Sequence, residues 1–315
     1  MRKLLSIVTP CFNEEGNVDE LATRIRSVME ALPYDYEHIF IDNCSTDGTV
    51  EKIRVLAAAD KRIKLIRNTR NFGHIRSPYH ALLQSAGDAC LLLASDLQDP
   101  PEMIPQFVAR WEEGFMTVLA VKPRSEEKRM MFLLRKLYYR TVTKIADVPL
   151  VLNATGAGLF DRCVVEAMRK MDVPYPYFRG LVCEIGYPIA TVPFTQPKRM
   201  RGVTKNNFFT LYDIAMLGVV SHSKLPLRFM TIGGFVMSVL SLMAAVGFFI
   251  AKIVFWNHFA LGMAPVLIGM FFLGAVQMLF IGILGEYIGM IYTQVRKLPH
   301  VVEAERVNFT EPPKQ

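Results

Sequence analysis

The chain has 315 residues, a formal net charge of +7 and a hydrophobic share of 51%. Its mean hydropathy of +0.25 is high for a wholly soluble protein, and the excess sits beyond residue 225, so composition argues for attachment to a membrane. Five dispersed cysteines (Cys11, Cys44, Cys90, Cys163 and Cys183), with no CxxC pair or zinc-like spacing, argue against a disulfide scaffold and suit a reducing cytoplasm.

Taken in chain order, the first 200 residues alternate strand and helix. Met1-Arg2-Lys3 leads straight into an apolar, β-branched run, Leu4 to Thr9, which reads as a strand rather than a signal peptide. A helix is predicted from about Val18 to Ala31, a strand over His38–Ile41, and a helix over Thr49–Ala59. Short buried strands follow at Ile63–Ile66 and Cys90–Ala94, with helices at Ser77–Ala86 and Pro101–Glu113, then a strand at Thr117–Val121. This order predicts an α/β domain with a mostly parallel sheet covered by helices. A basic amphipathic helix is expected over Glu126–Ile145, either covering the sheet or lying on headgroups, and a further strand near Ala190–Phe194. Phe208 to Val220 reads as an interfacial approach helix.

Two stretches, about Phe229–Ala251 and Phe259–Gly285, stay uncharged long enough to cross a hydrocarbon core of roughly 30 Å, which takes about 20 helical residues. Lys224 and Arg228 precede the first and Arg296 and Lys297 follow the second, while the intervening turn at Trp256-Asn257-His258 lacks Lys or Arg at its tip. The positive-inside rule then predicts a multi-pass protein of the inner (plasma) membrane with both ends in the cytoplasm. Beyond about Glu303 the tail reads as loose. The expected organisation is a catalytic domain over 1–205, a juxtamembrane segment over 206–228, the spans over 229–298 and a tail over 299–315. Beside two spans, the positive charge points to anionic lipid and phosphorylated substrates rather than to nucleic acid.

Ligands of parallel sheets bind at the carboxyl ends of the strands. The polar clusters fall there: Asn13-Glu14-Glu15, Asp42-Asn43 and Asp96-Leu97-Gln98-Asp99. Neither GxGxxG nor GxxxxGK[ST] follows the first strand, so backbone amides of those kinds do not cradle a pyrophosphate. Mg²⁺ or Mn²⁺ held by Asp96 with Gln98 close by would neutralise it instead. Asp96 and Gln98 before Pro100-Pro101 equally fit a helix cap, and both readings stand at this point.

Three segments occur in the order found in family 2 glycosyltransferases of GT-A fold: Ser6-Ile-Val-Thr-Pro-Cys-Phe-Asn-Glu-Glu, Ile41-Asp-Asn-Cys-Ser-Thr-Asp-Gly-Thr and Asp96-Leu-Gln-Asp-Pro-Pro-Glu. Tyr177-Phe-Arg-Gly, Arg199-Met-Arg-Gly-Val-Thr-Lys205 and Gly285-Glu-Tyr-Ile-Gly resemble the polyprenyl-phosphate branch, which includes dolichyl-phosphate mannose synthases and bactoprenol glucosyltransferases. The resemblance implies a GT-A domain followed by two transmembrane helices. It implies inverting transfer of a sugar from a nucleoside-diphosphate sugar, UDP-linked by expectation, to polyprenyl (undecaprenyl) phosphate on the cytoplasmic membrane face. Carried over by position, Pro10, Phe12, Glu14, Ile41, Asp42, Asn43, Ser95, Asp96 and Lys122 are expected at the nucleotide sugar, and Asp96 and Gln98 at the metal. Arg199 and Lys205 are expected on donor diphosphate or lipid phosphate.

Three departures qualify that reading. Relatives usually read Asp-Asp-Gly where this chain has Asp42-Asn43-Cys44; Ala94 replaces the first carboxylate of the metal-binding DxD; and Gly156 stands where many relatives carry an Asp invoked as a base. A phosphomonoester with a second pKa of about 6 is already mostly a dianion at neutral pH, so it attacks without a base. A catalytically weakened relative acting as a scaffold or binding protein is the alternative. A processive synthase is disfavoured, because Gln106-Phe-Val-Ala-Arg110-Trp111 has the wrong spacing for QxxRW and lies upstream. Self-association into a homo-oligomer is left open.

Overall fold

A computed structural model describes residues 2–122, 151, 153–195, 216, 220, 223–255, 263–296 and 298–310. The apolar runs become strands β1 (Leu4–Cys11), β2 (Asp35–Asp42), β3 (Ile63–Asn68), β4 (Ala89–Leu92) and β5 (Thr117–Val121). Between them lie helices α1 (Val18–Glu30), α2 (Thr49–Ala59), α3 (Gly73–Gln84) and α4 (Ile104–Glu112). Next come β6 (Ala154–Asp161), α5 (Arg162–Met171), α6 (Phe178–Ile185) and β7 (Ile189–Pro193). The two long helices α7 (Leu225–Val254) and α8 (Met263–Val295) precede a last strand, β8 (Glu303–Val307).

The eight strands form one sheet in the order β7-β5-β6-β4-β1-β2-β3-β8. β1 pairs in parallel with both β2 and β4, β2 with β3, and β5 with β7; β6 and β8 run against their neighbours. Strand alternation splits the core into two layers. On one face Ile7, Phe40 and Leu65 meet Leu21 and Ile25 of α1, Ile53 of α2 and Phe107 of α4. On the other, Val8, Ile39 and Ile66 meet Tyr79 and Leu82 of α3, Met168 of α5 and Leu181 of α6. The predicted α/β class with a mostly parallel, helix-covered sheet is the one found.

Four features differ from the sequence reading or go beyond it. α3 begins at Gly73, four residues before the expected Ser77. β6 is a strand despite Gly156 and Gly158, and a Cβ at Gly158 would stand 2.6 Å from the Val118 carbonyl oxygen, so the close approach of β5 requires the glycine. α8 runs past Gly285 to Val295, because a single charge at Glu286 does not end helical hydrogen bonding. The expected loose tail is an edge strand: β8 pairs antiparallel with β3, Leu65 opposite Val307 and Arg67 opposite Glu305. Arg54 grips Glu305 with two nitrogens, at 2.6 and 3.2 Å. The Asn308 amide donates to the Ala57 and Ile63 carbonyls at 2.7 and 2.8 Å, and Val301 is buried.

α7 and α8 are long and apolar enough to cross a membrane, over Leu225–Ala251 and Ile268–Val295, and among the described residues of those stretches none is buried against the protein. They meet where Gly233 faces the Phe280 ring, and the Tyr287 hydroxyl donates to the Ser223 carbonyl at 2.7 Å. The basic helix expected over 126–145, the interfacial segment over 208–220 apart from Met216 and Val220, and the turn at 256–258 lie outside the described residues.

Candidate active site

The parallel centre of the sheet delivers three loops to one edge, those following β1, β2 and β4. Backbone bonds extend the pairing into them: the Asn43 amide donates to the Cys11 carbonyl at 2.9 Å and the Leu93 amide to the Val8 carbonyl at 3.0 Å. Each loop holds one non-glycine residue in the left-handed region, Asn13 (φ 58°), Cys44 (φ 66°) and Leu97 (φ 58°). Such backbone costs about 1–2 kcal/mol per residue and persists where surrounding contacts over-determine it.

The contacts that do so are visible. Asn13 Oδ1 accepts from the Thr46 amide at 2.9 Å, and the Asn13 amide donates to Ser45 Oγ at 2.9 Å, stitching the first loop to the second. The Glu14 amide donates to Thr49 Oγ1 at 2.9 Å, while Glu14 Oε2 accepts from Asn17 Nδ2 at 2.6 Å beside the start of α1. In the second loop the fully buried Asp42 carboxylate accepts from the Ser45 amide at 3.0 and 3.3 Å. Burial pushes that carboxyl above its ordinary range, against the pull of the Ser45 bonds. Ile41 is fully buried in the second core layer.

Asn43, expected at the nucleotide sugar, makes four side-chain hydrogen bonds within the protein. Its Nδ2 donates to Asn71 Oδ1 at 2.9 Å and to the Gly73 carbonyl at 3.1 Å. Its Oδ1 accepts from Asn68 Nδ2 at 3.1 Å and from the Phe72 amide at 2.9 Å. All four hydrogen-bonding positions of the amide are filled, so the side chain builds the loop that launches α3. An aspartate could accept two of these bonds and donate neither of the others.

In the third loop burial alternates. Ser95, Leu97 and Asp99 are buried, whereas Asp96 and Gln98 are partly accessible. The Leu97 side chain anchors in the first core layer, and Asp96 Oδ1 accepts from the Gln98 amide at 3.1 Å. Ser95 hydrogen-bonds the buried Cys11 thiol, tying this loop to the end of β1. Asp96 and Gln98, both partly accessible on this turn, carry hard oxygens of the kind that suit a cation such as Mg²⁺ or Mn²⁺, which takes one or two protein ligands. Among the described residues no three His, Cys, Asp or Glu side chains gather round one point.

Beside this turn opens a cavity of about 290 Å³, walled by Pro10, His74, Tyr79, Ala94, Asp99 and Gly156. The Tyr177 and Phe178 side chains, at the start of α6, complete its wall. Phe178 is held edge-on to Tyr79 and Phe160, with ring centres 6.4 and 5.0 Å apart. Burial pushes the Asp99 carboxyl up to about 6, and the Asp96 charge adds to the rise; Lys122 and a hydrogen bond from the Ala94 amide oppose it. Lys122 follows β5, its amide donating to the Asn153 carbonyl at 3.1 Å.

Of the residues expected at the site, Pro10 lines the cavity, Asp96, Gln98 and Ser95 share its rim loop, and Lys122 acts electrostatically on Asp99. Phe12 and Glu14 lie on the first loop. Ile41, Asp42 and Asn43 support the second from within. Arg199 and Lys205 lie outside the described residues. Asp99, His74 and Tyr79 went unread as site residues. Asp99 stood inside the quoted DLQDPPE segment, while nothing in the sequence around His74 or Tyr79 marks them.

Residues 6–167 match the profile of glycosyl transferase family 2. The chain is 32% identical over 299 residues to the bactoprenol glucosyl transferase of Shigella phage SfII, covering 95% of this chain and 96% of that protein. It is also 32% identical over 302 residues to a putative glycosyltransferase of Bacillus subtilis, covering 96% and 92%. Among solved structures, glucosyl-3-phosphoglycerate synthase from Mycobacterium tuberculosis in complex with Mn²⁺, UDP and phosphoglyceric acid aligns with 69% of this chain and 76% of that chain, at 20% identity and a TM-score of 0.48. With the family profile matched from β1 into α5, and similarity to curated relatives running on through both long apolar helices, the chain belongs to glycosyltransferase family 2.

Proposed function

We propose that this protein transfers a hexose from a UDP-sugar to a polyprenyl phosphate at the cytoplasmic face of the inner membrane, with inversion at the anomeric carbon. The observation that carries this reading is the similarity to a bactoprenol glucosyl transferase over 95% of the chain, through the catalytic sheet and both apolar helices alike. A lipid phosphate is reached most directly by a catalytic domain fixed beside its own spans.

In the single displacement, a phosphate oxygen of the lipid forms a bond to C1 of the sugar as the bond from C1 to the diphosphate breaks. The acceptor is largely a dianion at neutral pH, so the missing carboxylate at Gly156 removes no obligatory proton acceptor. What remains is positioning and charge neutralisation. Asp96 and Gln98 would hold Mg²⁺ or Mn²⁺, which supplies electrostatic stabilisation of the departing diphosphate when bound. Pro10 and Phe12 wall the donor. Lys122, Arg199 and Lys205 bring positive charge to the phosphates. The lysines and arginines flanking the spans keep both ends of the helical pair on the cytoplasmic side.

The deciding experiment incubates the purified full-length protein with labelled UDP-glucose, UDP-galactose or UDP-N-acetylglucosamine, undecaprenyl phosphate and Mn²⁺. The expected result is a lipid-linked, acid-labile sugar from one of the three. Release of free sugar alone, or no product from any donor, would overturn the proposal.

A further inference from the structure

After α8 ends at Val295 the chain returns to the sheet at the carboxyl end of β3, where Glu303 pairs with Asn68. The Thr69 amide and hydroxyl both donate to the Val302 carbonyl, at 2.9 and 3.1 Å, and Val301 is buried. Just before this anchor, His300 meets two elements that wall the cavity beside the Asp96 turn. One is α3, which contributes His74, Pro78 and Tyr79 to the wall; the other is the stretch into α6, which contributes Tyr177 and Phe178. The His300 ring stands edge-on to Tyr79, centres 5.0 Å apart at 85°, and hydrogen-bonds the backbone of Pro174, ahead of α6. Tyr79 is held at its far end, where its hydroxyl donates to the Met168 carbonyl at 3.0 Å. His300 does not itself line the cavity.

Burial lowers the His300 pKa against the pull of the Pro174 bond, so near pH 7 the ring is neutral and carries one N–H. Nδ1 is buried without a hydrogen-bond partner, which leaves Nε2 as the donor to Pro174. A phenylalanine would fill the same place beside Tyr79 without burying an unpaired nitrogen. What histidine adds is the bond to Pro174. We propose that His300 is a positioning residue: delivered by the segment that leaves the second apolar helix, it clamps α3 to the stretch before α6 and sets the width of the catalytic cavity. Its effect on turnover rests on the function proposed above. The wall reaches its working shape only with the returning chain in place, so the seating of the helical pair is felt at the site.

The test compares wild type, His300→Ala and His300→Gln as full-length protein in detergent; the glutamine keeps a side-chain N–H for Pro174. Hydrogen exchange is read at the Gly180 and Leu181 amides, which both donate to the Tyr177 carbonyl, and at Thr69, which reports the docked segment. In His300→Ala the first two exchange about 10-fold faster or more, while Thr69 changes less than about twofold. In the same variant kcat for sugar transfer to undecaprenyl phosphate falls about 10-fold, with the Kd of UDP, measured by calorimetry, within about twofold. His300→Gln recovers most of both losses. Unchanged exchange at Gly180 and Leu181, acceleration of Thr69 along with them, an unaltered kcat, UDP binding lost in parallel with kcat, or a glutamine no better than alanine would each overturn the clamp. A wild type that transfers no sugar removes the proposed function instead, and the exchange rates alone then decide whether His300 holds the wall.

Discussion

At the scale of single residues, the site depends on side chains whose first duty is to hold strained backbone. Asp96 is the exception, a carboxylate kept partly accessible because the neighbouring Leu97 is buried. Asp96→Asn keeps the Gln98 amide bond but removes the charge. It is expected to lower kcat by at least about 100-fold with the melting temperature unchanged, and EDTA is expected to inhibit the wild type reversibly. Near-normal turnover, or indifference to EDTA, would return this turn to a purely structural role. Asn43 makes the opposite case. Asn43→Asp sets a carboxylate against the Gly73 carbonyl and Asn71 Oδ1, and should destabilise the protein by about 1–3 kcal/mol. Denaturant unfolding reads this directly, and an unchanged midpoint would mean that the amide network is dispensable. The turn at Asp96 stood out in the sequence because its polar residues are contiguous. The role of Asn43 did not, since its partners, Asn68 to Gly73, reach it only once β2 and β3 are paired.

Among the elements, legibility followed how far each carries its own reason for existing. β1, β2, β3, α1, α2 and α4 have apolar residues at strand or helix period and could be read directly. β6 could not, because its Gly158 answers to the close approach of β5 rather than to strand propensity. β8 reads Glu303-Ala-Glu-Arg-Val, a charge-rich tail by composition. Its stability comes from partners more than 200 residues away: Arg54 for Glu305, and His80 for Glu303 at 2.5 Å. Burial alone would raise the Glu303 carboxyl, but its bonds with Arg306 and His80 outweigh that and hold it at about 2. Its folded pKa lies below the unfolded value, so this contribution is present above about pH 4.5 and is lost as pH falls towards 2. Hydrogen exchange of the β3 and β8 amides should accelerate across that window in the wild type. In Glu303→Gln the acid-dependent step should be missing. Acceleration of equal size in the variant would assign the effect to other carboxylates.

For the whole molecule, the sheet and the apolar pair must share one orientation. β8 follows α8 and pairs with β3, so the end of the second helix lies on the side of the catalytic sheet. In a background free of cysteine, Asn257→Cys is expected to react with an impermeant maleimide added to intact cells, and Thr310→Cys only after the membrane is opened. Labelling of Thr310→Cys in intact cells would reverse the topology and remove the cytoplasmic donor from reach. Both apolar helices were visible from composition alone. That the chain returns to its starting domain was not, because strand pairing across so long a separation leaves no trace in a local window.

That return also orders events during synthesis. The strands β1 to β7 leave the ribosome before either apolar helix, and domains generally fold as units from the N-terminus. The β3 edge, however, has to wait for residues 303–307, which follow both apolar helices in the chain. Until then it shows unpaired amides and carbonyls, a template for any passing strand. If the proposed topology holds, closure of that edge reports that the hairpin has gone in the right way round: a chain whose second helix fails to cross back would deliver β8 to the wrong compartment and leave its sheet open to aggregation and proteolysis.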